Sequence, residues 1–100
     1  MTHYAYIVKC RDNSLYCGYT TDLKKRLAAH NSRKGAKYTR SRLPVSLYYF
    51  EEFDSKGKAM SREWHLKRLS HSEKAALTKT LGPEQSALIL SLNSLQEHKL

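Results

Sequence analysis

The stretch that most limits what this chain can become is Leu15 to His30, LYCGYTTDLKKRLAAH. A six-residue β-type run meets a helix-type run through a threonine pair, so a strand must hand directly to a helix with no linker between them. Ahead of it, Tyr4 to Cys10 (YAYIVKC) is rich in aromatic and β-branched residues and has strand length. Between the two runs lies Arg11 to Ser14 (RDNS), a turn cluster in which Asp12 and Asn13 tolerate tight backbone geometry. A β-hairpin over residues 4–10 and 15–20 follows. Thr21 and Asp22 are N-cap types, and Asp22 also suits the positive end of a helix, so the spacing predicts a helix over 22–30 ended by Asn31 and Ser32.

The hairpin carries a parity condition. With a two-residue loop at Asp12-Asn13, Tyr6 would face Tyr19, and Tyr6 and Tyr16 would point to opposite faces of the sheet. A site that uses both tyrosines requires an odd-length loop, such as Asp12 to Ser14, or a bulge.

The remaining chain alternates in the same manner. Residues 32–44, SRKGAKYTRSRLP, read as a basic loop with at most a short helical turn, and Val45 to Phe53 as a third strand broken by Asp54 to Lys58. A helix is predicted over 59–69. Ser70 with Glu73 resembles a capping box opening a helix over 71–81, which Gly82-Pro83 stops. Leu88, Leu92 and Leu95 recur at helical spacing within a last helix over 84–96. The expected fold class is α+β, a three-stranded antiparallel sheet flanked by helices. One domain is expected over 1–81, with the tail 82–100 packed on it as a monomer.

Charge narrows the function. Lys plus Arg number 18 against nine Asp plus Glu, a net charge of +9, and a surplus of this size in 100 residues favours polyanions. Cys10 and Cys17 are the only thiols, too few for a zinc site without histidines at ligand spacing, and are read as small buried side chains in a reducing, cytoplasmic setting. The start MTHYAYIV lacks the pattern of a secretory signal, and no apolar run is long enough to span a membrane.

Two helix faces hold groups that need explaining. Leu23, Arg26, Leu27 and His30 fall on one face of the first helix, which sets Arg26 and His30 beside an apolar stripe. A cation there is costly without an anionic partner; the bland alternative is an Arg26 that snorkels and a His30 that merely meets the helix dipole. In the 59–69 helix, Ala59, Met60, Trp64 and Leu66 form a broad apolar arc that includes Glu63, with Arg62, His65 and Arg68 opposite. Glu63 is either the partner of Lys67 four residues on or a ligand for a hard divalent cation. Arg33, Lys34, Lys37, Arg40 and Arg42, with Tyr38 among them, suit a phosphate-tracking surface. Gly18 marks a close backbone approach or a bulge. Trp64, Tyr48, Tyr49 and Phe50 are assigned to packing, and His3, His65, His71 and His98 to no chemistry.

Taken together, Tyr6, then Tyr16-Cys17-Gly18, Thr20, Leu23, Arg26, Leu27 and His30, then Glu63 on a later helix, resemble the GIY-YIG nuclease superfamily over about residues 4–70. The chain departs from the family's name motifs in reading Tyr4-Ala5-Tyr6 and Tyr16-Cys17-Gly18, although both tyrosines and the second glycine remain. The resemblance implies a divalent-metal-dependent endonuclease acting on DNA, with RNA as a further substrate class, in DNA repair or processing of structured DNA. It implies Glu63 as the ligand of Mg²⁺ or Mn²⁺, Arg26 on a phosphate oxygen, and Tyr6, Tyr16 or His30 as the group that activates water. Many relatives carry extra DNA-binding domains; here targeting falls to the basic loop or a protein partner. The alternative is a catalytically degenerate module that binds nucleic acid or docks on a repair partner.

Overall fold

A computed structural model describes residues 1–97 of the chain; the last three residues, His98 among them, lie outside the described part. Three strands, β1 (His3–Lys9), β2 (Leu15–Thr20) and β3 (Ser46–Phe53), form an antiparallel sheet of order β2-β1-β3. Helices α1 (Leu23–Asn31), α2 (Lys37–Arg40), α3 (Lys56–Lys67), α4 (His71–Leu77) and α5 (Pro83–Glu97) surround it. The α+β reading is therefore correct.

Hairpin parity is decided by three residues. Cys10 N–H donates to the Ser14 carbonyl and Asn13 N–H to that of Cys10, each at 2.9 Å, which leaves Arg11, Asp12 and Asn13 as the loop. Asn13 takes a left-handed φ of 68°, the conformation that closes three-residue loops. The loop is thus odd in length, one residue earlier than Asp12 to Ser14. Tyr6 pairs with Gly18 and Val8 with Tyr16, so both tyrosines share a face.

Both faces of the sheet are covered. Tyr6, Val8, Leu47 and Phe50 pack with Leu23 and Leu27 of α1 and with Ile89 and Leu92 of α5. Ala5, Ile7, Cys17 and Tyr49 pack on the other face with Leu66 of α3. Burial on both sides explains why β1 reads as an unbroken apolar run rather than an alternating one. A register shift on β3 opposite Ile7 and Val8 lets Leu47 and Phe50 reach the same face despite their odd spacing. Cys10 and Cys17, free and buried, fall on opposite faces and cannot meet.

Several boundaries move for local reasons. Ser55 accepts from Lys58 N–H and starts α3 at Lys56, three residues before the predicted Ala59, and Gly57 is tolerated because its first turn faces open space. The predicted 71–81 helix ends as α at Leu77 and continues as one 3₁₀ turn, Thr78–Thr80. The Ser70 and Glu73 capping box that opens it is present in full. Pro83 stops nothing after itself; it is the first residue of α5, where its missing N–H costs nothing. In α5 the buried residues are Ile89 and Leu92, whereas Leu88 and Leu95 are 39% and 40% exposed, so the apolar face is rotated from the predicted leucine spacing.

Two asparagines finish β3. The Asn93 amide accepts from Leu47 N–H at 2.7 Å and donates to its carbonyl at 3.0 Å; Asn31 does the same for Val45 at 2.8 and 3.0 Å. Each side chain substitutes for a missing strand neighbour and satisfies both backbone groups.

Candidate active site

Four groups, Tyr6, Arg26, His30 and Thr39, meet on the α1 side of the hairpin. Asp22 caps α1 by accepting from Lys25 N–H at 3.0 Å, which phases the helix so that Leu23, Leu27 and His30 are buried and Arg26 is half-buried beside them. Tyr6, on the central strand, extends its ring across Gly18 of the neighbouring edge strand. A Cβ at Gly18 would collide with the Tyr6 hydroxyl, and no glycine here has positive φ, so the need is for space rather than for backbone freedom.

The polar groups join in one directed chain. Arg26 Nε–H donates to Tyr6 Oη at 3.1 Å. Tyr6 Oη lies 2.8 Å from His30 Nε2, and His30 Nδ1 lies 2.9 Å from Thr39 Oγ1. Because the Thr39 hydroxyl donates to the Ala36 carbonyl at 3.0 Å, its oxygen accepts from Nδ1–H, and Nε2 accepts from the tyrosine hydroxyl. The pairing fixes the tautomer of a neutral imidazole. Burial and then the Arg26 charge pull His30 down to about 4, so it is no dipole-matched cation. Burial also pushes Tyr6 up to about 12 against the lowering contact with Arg26, with the charges of Tyr16 and Glu63 adding to the rise. Tyr6 and His30 are 1% and 0% exposed, which isolates both from water.

Thr39 and Gly35 had no visible role in the sequence. At the end of α1, Arg33 takes a φ of 68° and donates to the His30 carbonyl while Lys34 donates to that of Ala29, a Schellman ending with arginine where glycine is usual. The chain then turns so closely over His30 that a Cβ at Gly35 would collide with the imidazole. α2 follows and returns Thr39 to the same ring. A buried threonine inside a run of cations gives no periodic signal, and only the basic character of the segment was legible.

Tyr16 is half-buried, with its ring edge-on to His30 at 5.7 Å and stacked on Tyr38 at 5.8 Å. Arg42 covers Tyr38 at 3.9 Å, donates to the Tyr38 carbonyl at 2.8 Å and pairs with Asp12 at 3.2 Å. Tyr38 and Arg42, expected on a phosphate-tracking surface, are thus engaged in holding the basic segment to the hairpin; Arg33, Lys34, Lys37 and Arg40 are exposed.

Glu63 comes from the other side of the sheet, on α3, which packs against β1 and β2. Its carboxylate pairs with Lys67 at 3.6 Å, a loose surface contact of little energetic weight. Its charge nevertheless reaches Tyr6 and Cys17 and raises both. The predicted arc around it is corrected: Ala59 and Leu66 are buried, Arg62 turns inward to Glu51 at 2.9 Å, and Met60 and Trp64 are exposed at 43% and 56%. Trp64 is not a packing residue; the tight contact of Ala59 and Leu66 with the sheet sets the helix face and turns the indole to solvent.

Among the described residues no three His, Cys, Asp or Glu side chains form a metal-binding group. A lone carboxylate does fit a hydrated Mg²⁺ or Mn²⁺, which keeps most of its waters and takes further ligands from a phosphate.

Residues 2–76 match the family described as the GIY-YIG catalytic domain. The chain is similar to a UPF0213 protein of Streptococcus pyogenes serotype M5 (strain Manfredo), 62% identical over 83 residues that cover 82% of this chain and 90% of the relative. A UPF0213 protein of Lactococcus lactis subsp. cremoris (strain SK11) is 57% identical over 79 residues, 78% of this chain and 81% of that one. The solution structure of a UPF0213 protein from Bacillus halodurans is 45% identical with a TM-score of 0.54, covering 87% of this chain and 94% of its own.

Proposed function

From the premise that this chain belongs to the GIY-YIG catalytic-domain family, we propose that it is a divalent-metal-dependent endonuclease that hydrolyses DNA phosphodiester bonds. Membership implies nuclease-type activity, and nucleases of the family generally use divalent metals. The specific reading rests on Arg26. Half-buried, and with no ion-pair partner among the described residues, its guanidinium is anchored through Nε by a buried phenol. An unpaired cation in such a place lowers its own cost by meeting an anion, and the fork of its terminal nitrogens matches two oxygens of a phosphate.

The proposed division of labour follows from exposure. Tyr6 and His30, buried and committed to each other, are positioning residues that set the angle of the Arg26 guanidinium. Tyr16 is the one of the three candidate bases at the surface, and its Oη, once its own proton has passed to solvent, orients the attacking water and takes its proton. Arg26 holds a nonbridging oxygen as negative charge accumulates on the phosphate. Glu63 would hold a Mg²⁺ or Mn²⁺ ion, which supplies Lewis-acid stabilisation of the phosphate and of the leaving 3′ oxygen when bound. A role in repair or in processing structured DNA, within the cytoplasm, belongs to the same proposal.

The test is cleavage of single-stranded, duplex, flap and branched DNA, and of RNA, with Mg²⁺, Mn²⁺ or EDTA. Cleavage dependent on the cation, lowered at least about 100-fold by Arg26→Ala and by Glu63→Ala with affinity mostly kept, is expected. Cutting that persists in EDTA would overturn the mechanism.

A further inference from the structure

Trp64 follows Glu63 directly in α3, is the chain's single tryptophan, and is 56% exposed. The Arg68 guanidinium lies over its ring at 4.7 Å, and His65 meets it edge-on at 5.0 Å. Met60, one turn earlier, is 43% exposed. From Lys56 to Arg68 the helix and its cap carry five lysines and arginines against Glu63 alone, so this apolar surface sits in a positive field. An indole left to water costs free energy, and a guanidinium held against it supplies the cation that a nucleotide needs beside its stacked base.

We infer that Trp64 with Arg68 forms a stacking platform for an unpaired base of DNA next to the bond that is cut, which makes strands with single-stranded character the preferred substrate class. The inference rests on the nuclease reading above. Trp64 lies about 100° round α3 from Glu63, so a strand whose phosphate met Arg26 and Glu63 would bring its neighbouring nucleotide, about one residue's reach away, to the exposed indole, which accepts a base of any identity. In a blunt duplex the bases are stacked on one another and cannot take that position. The platform therefore selects by strand structure rather than by sequence.

Trp64 is its own reporter. In EDTA, where cleavage does not intervene, a single-stranded oligodeoxynucleotide is expected to quench Trp64 emission to saturation, whereas a blunt duplex of the same sequence binds without quenching. By anisotropy of a labelled strand, Trp64→Ala is expected to weaken single-strand binding about tenfold and leave duplex binding nearly unchanged, and Trp64→Phe to restore most of the loss. Strand binding that leaves Trp64 emission unaltered, or an equal loss on both probes, would overturn the platform. Quenching in EDTA with no member of the substrate panel cut in Mg²⁺ or Mn²⁺ supports base stacking on Trp64 but overturns the nuclease reading and, with it, the place of the platform beside a cut bond; cleavage without a Trp64 response overturns the platform alone.

Discussion

His30 is fully buried with both ring nitrogens engaged, and its hydrogen bonds require the neutral form. An unfolded histidine takes up a proton near 6.5, whereas the folded one waits until about 4. The unfolded state therefore binds more protons across that window, so stability declines as pH falls from 6.5 toward 4 and gains no further slope from this group below it. By pH 5 the loss from His30 amounts to about 2 kcal/mol. Denaturant midpoints measured between pH 7.5 and 5 check this, with the slope reduced in His30→Gln. The depressed carboxyls of Asp12, Asp54 and Glu73 lose their contributions only as pH falls through the unfolded values of 3.8 and 4.5, which leaves the range from 7.5 to 5 to His30. At this scale the sequence made Arg26, His30 and Glu63 stand out by charge beside apolar positions, but not Thr39, whose burial depends on a loop that folds back.

Among the elements, α5 is attached by a polar device as well as by Ile89 and Leu92. Removing the Asn93 amide leaves the Leu47 N–H and carbonyl of an edge strand without their partner. Asn93→Ala is expected to lower stability by about 1–3 kcal/mol, and a thermal melt reads the change directly. The hairpin strands were legible from their β-type residues, and α1 and α4 from capping signals, since Asp22 and Ser70 lie where those helices begin, whereas the Ser55 cap of α3 and the extent of the short α2 were not. Nor were rotations about a helix axis. Met60, Trp64, Leu88 and Leu95 read as inward from helical spacing, yet Ala59 and Leu66 seat α3, and Ile89 with Leu92 seats α5. In α3 the small Ala59 lets the helix approach the sheet closely, while in α5, where residues of equal size lie on both faces, the Asn93 bonds to Leu47 fix which face turns inward.

Over the whole molecule, a charge of +9 makes nucleic-acid affinity steeply dependent on salt. Exposed Lys37 and Arg40 are expected to act through phosphate alone: replacing both with Ala should weaken duplex and single strand alike and reduce the slope of log K against log salt by about two. Arg42→Ala should instead loosen the segment that holds Tyr38 against Tyr16, because its guanidinium is occupied by Asp12 and the Tyr38 ring. Titrations at several salt concentrations distinguish the two. The sequence by itself determined the succession of strands and helices along the chain, the antiparallel hairpin and the excess of positive charge, since period, capping and charge are local properties. Tertiary structure decided hairpin parity, which put Tyr6 and Tyr16 on one face, the chain from Arg26 through Tyr6 and His30 to Thr39, and the exposure of Trp64. Each of those depends on how close two backbones approach, at Gly18 and Gly35 above all, and distance between segments is not written in the order of residues.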